Sequence, residues 1–242
     1  MDDGVTRFYE RMYAEGRASK APGGILGRMF ARLRRFELHR IPATFSLLEP
    51  GDRLLDVGCG DGTLLALART AKFSEVYGID VAASVVRRTE DTCKRMLGSL
   101  AGVAVQQSDL NQALPFPDGF FDAVTAIAVI EHIFDPYFTV AEINRVLRVG
   151  GQFIMEVPNL VWMPRRRDVT FGRLPVTGDE EGWDGGHLHY FTFRAARDLL
   201  SNHGFSIRYI GSTGIFPRIR NMWPTLLGGN VFLSAKKLSD AR

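Results

Sequence analysis

The residues best placed to do chemistry lie at Asp56-Val57-Gly58-Cys59-Gly60-Asp61-Gly62, where the apolar run Leu54 to Val57 enters a glycine-rich turn that opens a helix. Glycines at 58, 60 and 62 let the backbone turn sharply and approach a ligand closely, where a Cβ would clash. The first amides of the helix that follows point at the same place. Asp80 closes the next strand in Gly78-Ile79-Asp80, where a carboxylate can accept from both hydroxyls of a ribose. Asp109, in Ser108-Asp109-Leu110 after the third strand, is positioned to accept from the exocyclic amine of adenine. Asp56, before the turn, suits a ligand that also carries an ammonium group. The expected ligand contacts are therefore Asp56, Gly58, Cys59, Gly60, Gly62, Asp80, Val81, Asp109 and Leu110, joined by Ala126, Ile127 and His132 after the fourth strand. A dinucleotide fingerprint would need glycine at position 63, which is Thr63, and this argues against a nicotinamide dehydrogenase.

These residues need a scaffold, and the pattern from Leu54 onward supplies one. Short β runs alternate with helical segments, which favours an α/β fold with a mostly parallel sheet covered on both faces. Strands are predicted at 54–57, 75–79, 103–107, 121–126, 151–157, 206–211 and 230–235, and helices at about 63–71, 82–97, 137–148 and 192–203, with Thr192 as an N-cap. Ahead of the sheet, residues 1–48 read as a helical extension, with one helix near Phe8, Tyr9, Met12 and Tyr13. A second runs from Ile25 up to Pro42 and carries Arg28, Arg32, Arg34 and Arg35. The segment 158–190 is too long and too rich in Pro, Gly and Trp for a plain connection and reads as a lid or substrate loop. Gly214 to Gly229 could cover the same end of the sheet. One domain over residues 1–242 is the expectation at this length.

Composition narrows the class further. The chain is 45% hydrophobic and 24% charged, the balance of a folded globular protein. Two cysteines, Cys59 and Cys93, exclude a disulfide framework and fit a reducing, cytoplasmic setting. The first residues are acidic with no apolar run behind them, unlike a secretory signal, and no stretch is long enough to span a bilayer. A net charge of +3 and the lack of a recognised RNA-binding module argue against nucleic acid. Arg165-Arg166-Arg167 reads most simply as a solvated face, while the sharper reading is recognition of a phosphate or carboxylate, or peripheral contact with a lipid surface.

Taken together the sequence resembles the class I S-adenosylmethionine-dependent methyltransferases, in the subgroup called methyltransferase type 11. The resemblance covers about 54–205 and rests on the Asp56 to Gly62 motif, Gly78-Ile79-Asp80, Asp109-Leu110, Leu114-Pro115-Phe116-Pro117-Asp118-Gly119-Phe120-Phe121-Asp122 and Arg145-Val146-Leu147-Arg148-Val149-Gly150-Gly151. It implies a seven-stranded Rossmann-like sheet with an antiparallel last strand. It also implies S-adenosyl-L-methionine held by Asp56 to Gly62, Asp80 and Asp109.

Methyl transfer to a hydroxyl requires a positioned nucleophile and removal of its proton, and His132, His187 and His189 are the candidate bases. Ala128-Val129-Ile130-Glu131-His132 resembles a metal-binding segment of ubiquinone-type O-methyltransferases and small-RNA 2′-O-methyltransferases, with alanine in place of its first glutamate. The ligand set is incomplete, so a metal-free mechanism is the preferred expectation. The reading is an enzyme acting on oxygen of a small, anionic, sugar-nucleotide or lipid-linked acceptor, contacted by Arg165, Arg166, Arg167 and Tyr190. Nitrogen or carbon as recipient, and a non-catalytic regulator that keeps the fold, are the alternatives; the sequence leaves the oligomeric state open.

Overall fold

The computed structural model describes residues 37–175 and 186–239. The aromatic helix and most of the arginine-bearing helix expected in the first 36 residues, and residues 176–185 of the segment read as a lid, lie outside the described residues. In chain order the elements are β1 (Glu37–Leu38), α1 (Arg40–Leu47), β2 (Gly51–Val57), α2 (Thr63–Ala71), β3 (Phe73–Asp80), α3 (Ala83–Leu97), β4 (Val103–Gln107) and β5 (Phe121–Ile127). There follow α4 (Pro136–Val146), β6 (Leu147–Pro158), α5 (Met163–Thr170), α6 (Phe193–Asn202), β7 (Phe205–Gly211), β8 (Gly214–Ile215), α7 (Pro217–Arg220), α8 (Pro224–Leu227) and β9 (Asn230–Lys237).

Seven strands form one sheet in the order β4-β3-β2-β5-β6-β9-β7. Strands β2, β3, β4, β5 and β6 pair in parallel, and β9 runs antiparallel to both β6 and β7. All seven expected strands and the four expected helices of this region are present. The central strands β2, β5 and β6 are buried almost without alternation, as strands covered on both faces must be, while the edge strand β4 is largely exposed. One face packs Val57, Val124, Ile143, Leu200 and Leu233 into a core; the other packs Leu54, Leu65, Phe73, Cys93 and Phe232.

Local chemistry sets the helix ends. Asp135 Oδ1 accepts from the amides of Tyr137 and Phe138, both at 3.0 Å, and Pro136 begins α4 without needing a donor of its own. Thr192 caps α6 as expected, accepting from the Ala195 amide at 3.1 Å.

Two of the quoted motifs serve as scaffold. Arg145 of α4 donates to the carbonyls of Phe116 and Leu114, both at 2.9 Å, and to Asp118 at 2.7 Å and Glu142 at 2.8 Å, fastening the loop that leads into β5. Asp122 accepts from the amides of Asp52 and Arg53, each at 2.8 Å, and from Arg148 Nε at 2.6 Å, tying the starts of β2, β5 and β6 together.

The helix expected to run up to Pro42 needs correction. Residues 37–38 are a strand, registered Glu37↔Ile215 and Leu38↔Gly214, and a separate helix begins at Arg40. Pro42 falls in that helix's first turn, where its missing N–H costs nothing. The periodicity also gives no sign of α5, whose Met163-Pro164-Arg165-Arg166-Arg167 carries no apolar stripe.

Candidate active site

Strand β2 lies where the order of the chain reverses, with β3 on one side and β5 on the other, so the loops at the carboxyl ends of these strands part and leave a cleft. A cavity of about 700 Å³ occupies that place, within the size range of small-molecule sites.

The glycine turn forms one wall. The amides of Gly58 and Cys59 both donate to the Ile79 carbonyl, at 2.8 and 3.1 Å, which ties the turn to the end of β3. Gly58, at φ +68°, has no room for a side chain, because a Cβ there would stand 2.3 Å from Val129 Cγ2. Gly60, at φ +59°, lines the cavity, and a Cβ there would meet nothing nearer than the Gly58 carbonyl oxygen at 3.9 Å. It would project into open space where a ligand would lie. Gly62 differs from the expectation: it faces α3, with its hypothetical Cβ 2.8 Å from Thr89 Cγ2, and does not line the cavity. Cys59 lines the cavity but is buried, and burial pushes its thiol pKa up.

Three acids face this wall. Asp80 Oδ1 accepts from the Ala82 amide at 3.1 Å, and burial raises its pKa against the pull of the Ala82, Gly60 and Val81 amides. Asp56 is buried and accepts the Thr125 hydroxyl at 2.6 Å; burial pushes its pKa up to about 7, with Asp80 and Asp61 adding to the rise. Asp109 reaches the cavity together with Leu110, its Oδ1 accepting from the amide and side chain of Asn111 at 2.9 Å each. Asn111 in turn accepts from the Phe134 amide at 2.9 Å, so it locks this rim to the loop after β5. Asn111 also lines the cavity and was missed by sequence reasoning, although it stands next to the motif.

On the β5 side, Ile127, Ala128, Val129 and His132 line the cavity, as Val81 does beyond β3, whereas Ala126 is sealed inside the strand. Ala128 adopts φ +57°, a left-handed conformation that costs a non-glycine residue roughly 1 kcal/mol and clusters at functional sites. Of the three candidate bases, the structure brings His132 to the cleft. Its Nδ1 lies 3.3 Å from the Gly186 carbonyl, and its ring meets that of His187 edge-on at 4.6 Å. His187 is buried behind it, with Nε2 3.9 Å from Glu131 Oε1. His189 lies off the cleft, its Nε2 3.2 Å from the Phe134 carbonyl. The amides of Leu188 and His189 donate to the Glu131 carbonyl at 2.8 and 3.0 Å, stitching the end of the long segment to the turn after β5.

Glu131 is fully buried, neither carboxylate oxygen has a hydrogen-bond partner among the described residues, and burial pushes its pKa up to about 8. Ligand atoms of Glu131, His132 and His187 lie within 4.8 Å of one another, so the histidine that completes the expected partial ligand set is His187. Two imidazoles and a carboxylate would suit a transition metal better than Mg²⁺.

The arginine run divides. Arg165 turns inward, nine-tenths buried, and donates to the carbonyls of Asn159 at 2.6 Å and Gly229 at 3.0 Å beneath the Trp162 ring, which corrects its expected role as a substrate contact. Arg166 and Arg167 are exposed on α5, as is Tyr190 beyond it, and none of the three lines the cavity.

The far wall comes from residues with no sequence signal. Arg40 of α1, Thr213 before β8 and Asn230 of β9 all line the cavity, and Glu156 of β6 stands behind them. They are far apart in the chain and carry no shared motif, so only the fold brings them together.

Comparison with known proteins adds four findings. A family model described as a methyltransferase domain matches residues 55–155. The chain is 28% identical over 201 residues to the ubiquinone/menaquinone biosynthesis C-methyltransferase UbiE of Teredinibacter turnerae, covering 73% of this chain and 78% of that one. It is 33% identical over 172 residues to a probable S-adenosylmethionine-dependent methyltransferase of Mycolicibacterium smegmatis, covering 69% of this chain and 56% of that one. The fold resembles the putative methyltransferase of Haloferax volcanii solved in complex with its Trm112 activator, with a TM-score of 0.64 at 15% identity over 99% of this chain and 100% of that one. The chain spans less than two thirds of several of its curated relatives, 31% of one from Streptomyces fradiae and 39% of one from Amycolatopsis mediterranei.

Proposed function

Residues 55–155 carry a methyltransferase domain of the class I S-adenosylmethionine-dependent kind, and from that premise we propose that the chain transfers a methyl group from S-adenosylmethionine to a hydroxyl oxygen of a small-molecule acceptor. The observation that carries this reading is the cleft itself, which sets three acids and an open glycine wall on the side of β2 and β3, and His132 on the side of β5.

The residues present fit that cofactor. The open space over Gly60 leaves room for a nucleoside against the backbone, Asp80 would accept from ribose hydroxyls, Asp109 and Leu110 would flank the base, and buried Asp56 would pair with the ammonium group. When bound, the cofactor supplies an electrophilic methyl on a sulfonium. The protein's own part is to orient the acceptor, exclude water and hold its proton. Donation of the His132 Nδ1 proton to the Gly186 carbonyl puts the basic lone pair on Nε2, which would take the acceptor's proton, with His187 supporting the ring.

Arg166 and Arg167 would meet an anionic, sugar-nucleotide or lipid-linked part of the acceptor outside the cleft. Among the described residues no helix is long and apolar enough to cross a membrane. Both cysteines are free and buried, which supports a reducing, cytoplasmic setting. A second reading, transfer to carbon, is favoured by the likeness to UbiE over most of its length.

Calorimetric titration with S-adenosylmethionine and S-adenosylhomocysteine, with NAD as control, tests the cofactor. Micromolar binding of the sulfur nucleosides alone is expected, and binding of NAD instead would overturn the reading. Mass spectrometry of products from an acceptor panel then separates oxygen from carbon transfer.

A further inference from the structure

The cleft has a second polar end. Asp80 closes β3 and Glu156 lies near the end of β6, three strands further along the order β3-β2-β5-β6, a separation of roughly 14 Å at ordinary strand spacing. Glu156 is 1% exposed. Its Oε1 is saturated, accepting from the Thr213 hydroxyl at 2.8 Å and from Asn230 Nδ2 at 2.7 Å, and Asn230 Nδ2 also lies 3.0 Å from Thr213 Oγ1. Its Oε2 is buried without a hydrogen-bond partner among the described residues and lies 3.9 Å from Arg40 Nε.

A buried carboxylate oxygen left without a donor is costly, and such an atom in a folded protein calls for an explanation. Here its surroundings supply one, because Arg40, Thr213 and Asn230, which hold and face Glu156, all line the cavity. The charges matter as well. Among the described residues Arg40 is the cation that lines this wall, and it stands beside a carboxylate, so an anion seated against it would face a buried acid and a positive charge already paired. A neutral group with an O–H to give would complete the wall.

We propose that Arg40, Glu156, Thr213 and Asn230 form an acceptor subsite for a neutral, hydroxyl-bearing small molecule, whose hydroxyl donates to Glu156 Oε2. Thr213 and Asn230 fix the carboxylate by its other oxygen, so the free one has a set direction. This deepens the function proposed above and rests on it. An anionic part of the acceptor, where there is one, stays at the mouth and not at this wall.

The test uses the full chain saturated with S-adenosylhomocysteine and three ring-sized probes: catechol, 1,2-dimethoxybenzene and benzoate. Catechol is expected to bind at least tenfold more tightly than either of the others. In Glu156→Gln that preference falls at least tenfold, and in Thr213→Val about threefold, while S-adenosylhomocysteine affinity stays within threefold of wild type and so reports an intact fold. Preference for benzoate, no binding of catechol, or a preference for catechol unchanged in Glu156→Gln would overturn the subsite. Failure of wild type to bind S-adenosylhomocysteine would instead overturn the methyltransferase reading, so the two failures are distinguishable.

Discussion

Asp56 of β2 and Thr125 of β5 are direct partners in the parallel register, and the Thr125 hydroxyl donates to the Asp56 carboxylate across 2.6 Å. This hydrogen bond favours the charged acid, whereas burial and the neighbouring acids Asp80 and Asp61 oppose it, leaving a pKa of about 7. An ammonium partner needs the carboxylate, so below pH 7 binding must first remove a proton. S-adenosylhomocysteine affinity should therefore weaken as the pH falls from 8 to 6, by up to about tenfold per unit below the pKa. Thr125→Val should move that midpoint upward by on the order of one unit. Calorimetry at several pH values checks both, and a pH-independent affinity would show that Asp56 does not carry the ammonium.

Glu131 makes stability depend on pH. Its folded pKa of about 8 lies above the ordinary 4.5, so the folded state keeps a proton that the unfolded state has lost. A raised acid gives its full stabilisation below the unfolded pKa and loses it as the pH rises through the folded one, here from about 4.5 to about 8. Asp56 acts in the same sense up to about 7. The ligand-free melting temperature should fall between pH 5.5 and 8.5, with a loss on the order of a few kcal/mol. Glu131→Gln should flatten the fall and melt higher than wild type at pH 8.5. Parallel melting curves for the two proteins would contradict this account.

The scaffold was legible because its signals are local. Apolar runs, glycine turns and the cap at Thr192 are each set by neighbouring residues, and the strands followed them. That Gly58, Gly60, Asp56, Asp80, Asp109 and His132 would meet at one cleft was legible for the same reason, since each lies at or a few residues from the carboxyl end of a strand. Arg165 was misread because exposure cannot be told from charge: a guanidinium can spend its donors on carbonyls, as it does at Asn159 and Gly229. The Glu156 wall was invisible because its four members come from α1, β6, the stretch before β8, and β9.

The two glycines of the wall should fail differently. Gly58→Ala sets a methyl 2.3 Å from Val129 Cγ2 at a positive φ and should destabilise the fold by about 2 kcal/mol or more, with partial rescue by Val129→Ala. Gly60→Ala meets only the ~1 kcal/mol backbone strain and should cost at least tenfold in S-adenosylhomocysteine affinity with a small change in melting temperature. Wild-type affinity in Gly60→Ala would remove this backbone from the binding surface.

Arg145 should report on stability and not on binding. Arg145→Ala removes donors from the Leu114 and Phe116 carbonyls and breaks the pairs with Asp118 and Glu142. A loss of about 2–4 kcal/mol is expected in urea unfolding, with S-adenosylhomocysteine affinity within threefold of wild type at low temperature. A selective loss of binding would show that this motif reaches the site.

The three histidines should separate by position. His132 lines the cleft, so His132→Asn should reduce turnover at saturating cofactor by on the order of a hundredfold, the contribution of a positioned general base. His187 touches the His132 ring and stands by Glu131 without reaching the cleft, so His187→Asn should cost about tenfold through loss of ring orientation. His189 spends its Nε2 contact on the Phe134 carbonyl, away from the cavity, and His189→Asn should leave turnover within about threefold. Release of S-adenosylhomocysteine with an acceptor that turns over measures all three, beside a cofactor titration of each variant. Equal, small effects throughout would mean that positioning alone carries the reaction, whereas a dominant effect at His189 would require a closed arrangement that brings the long segment over the cleft.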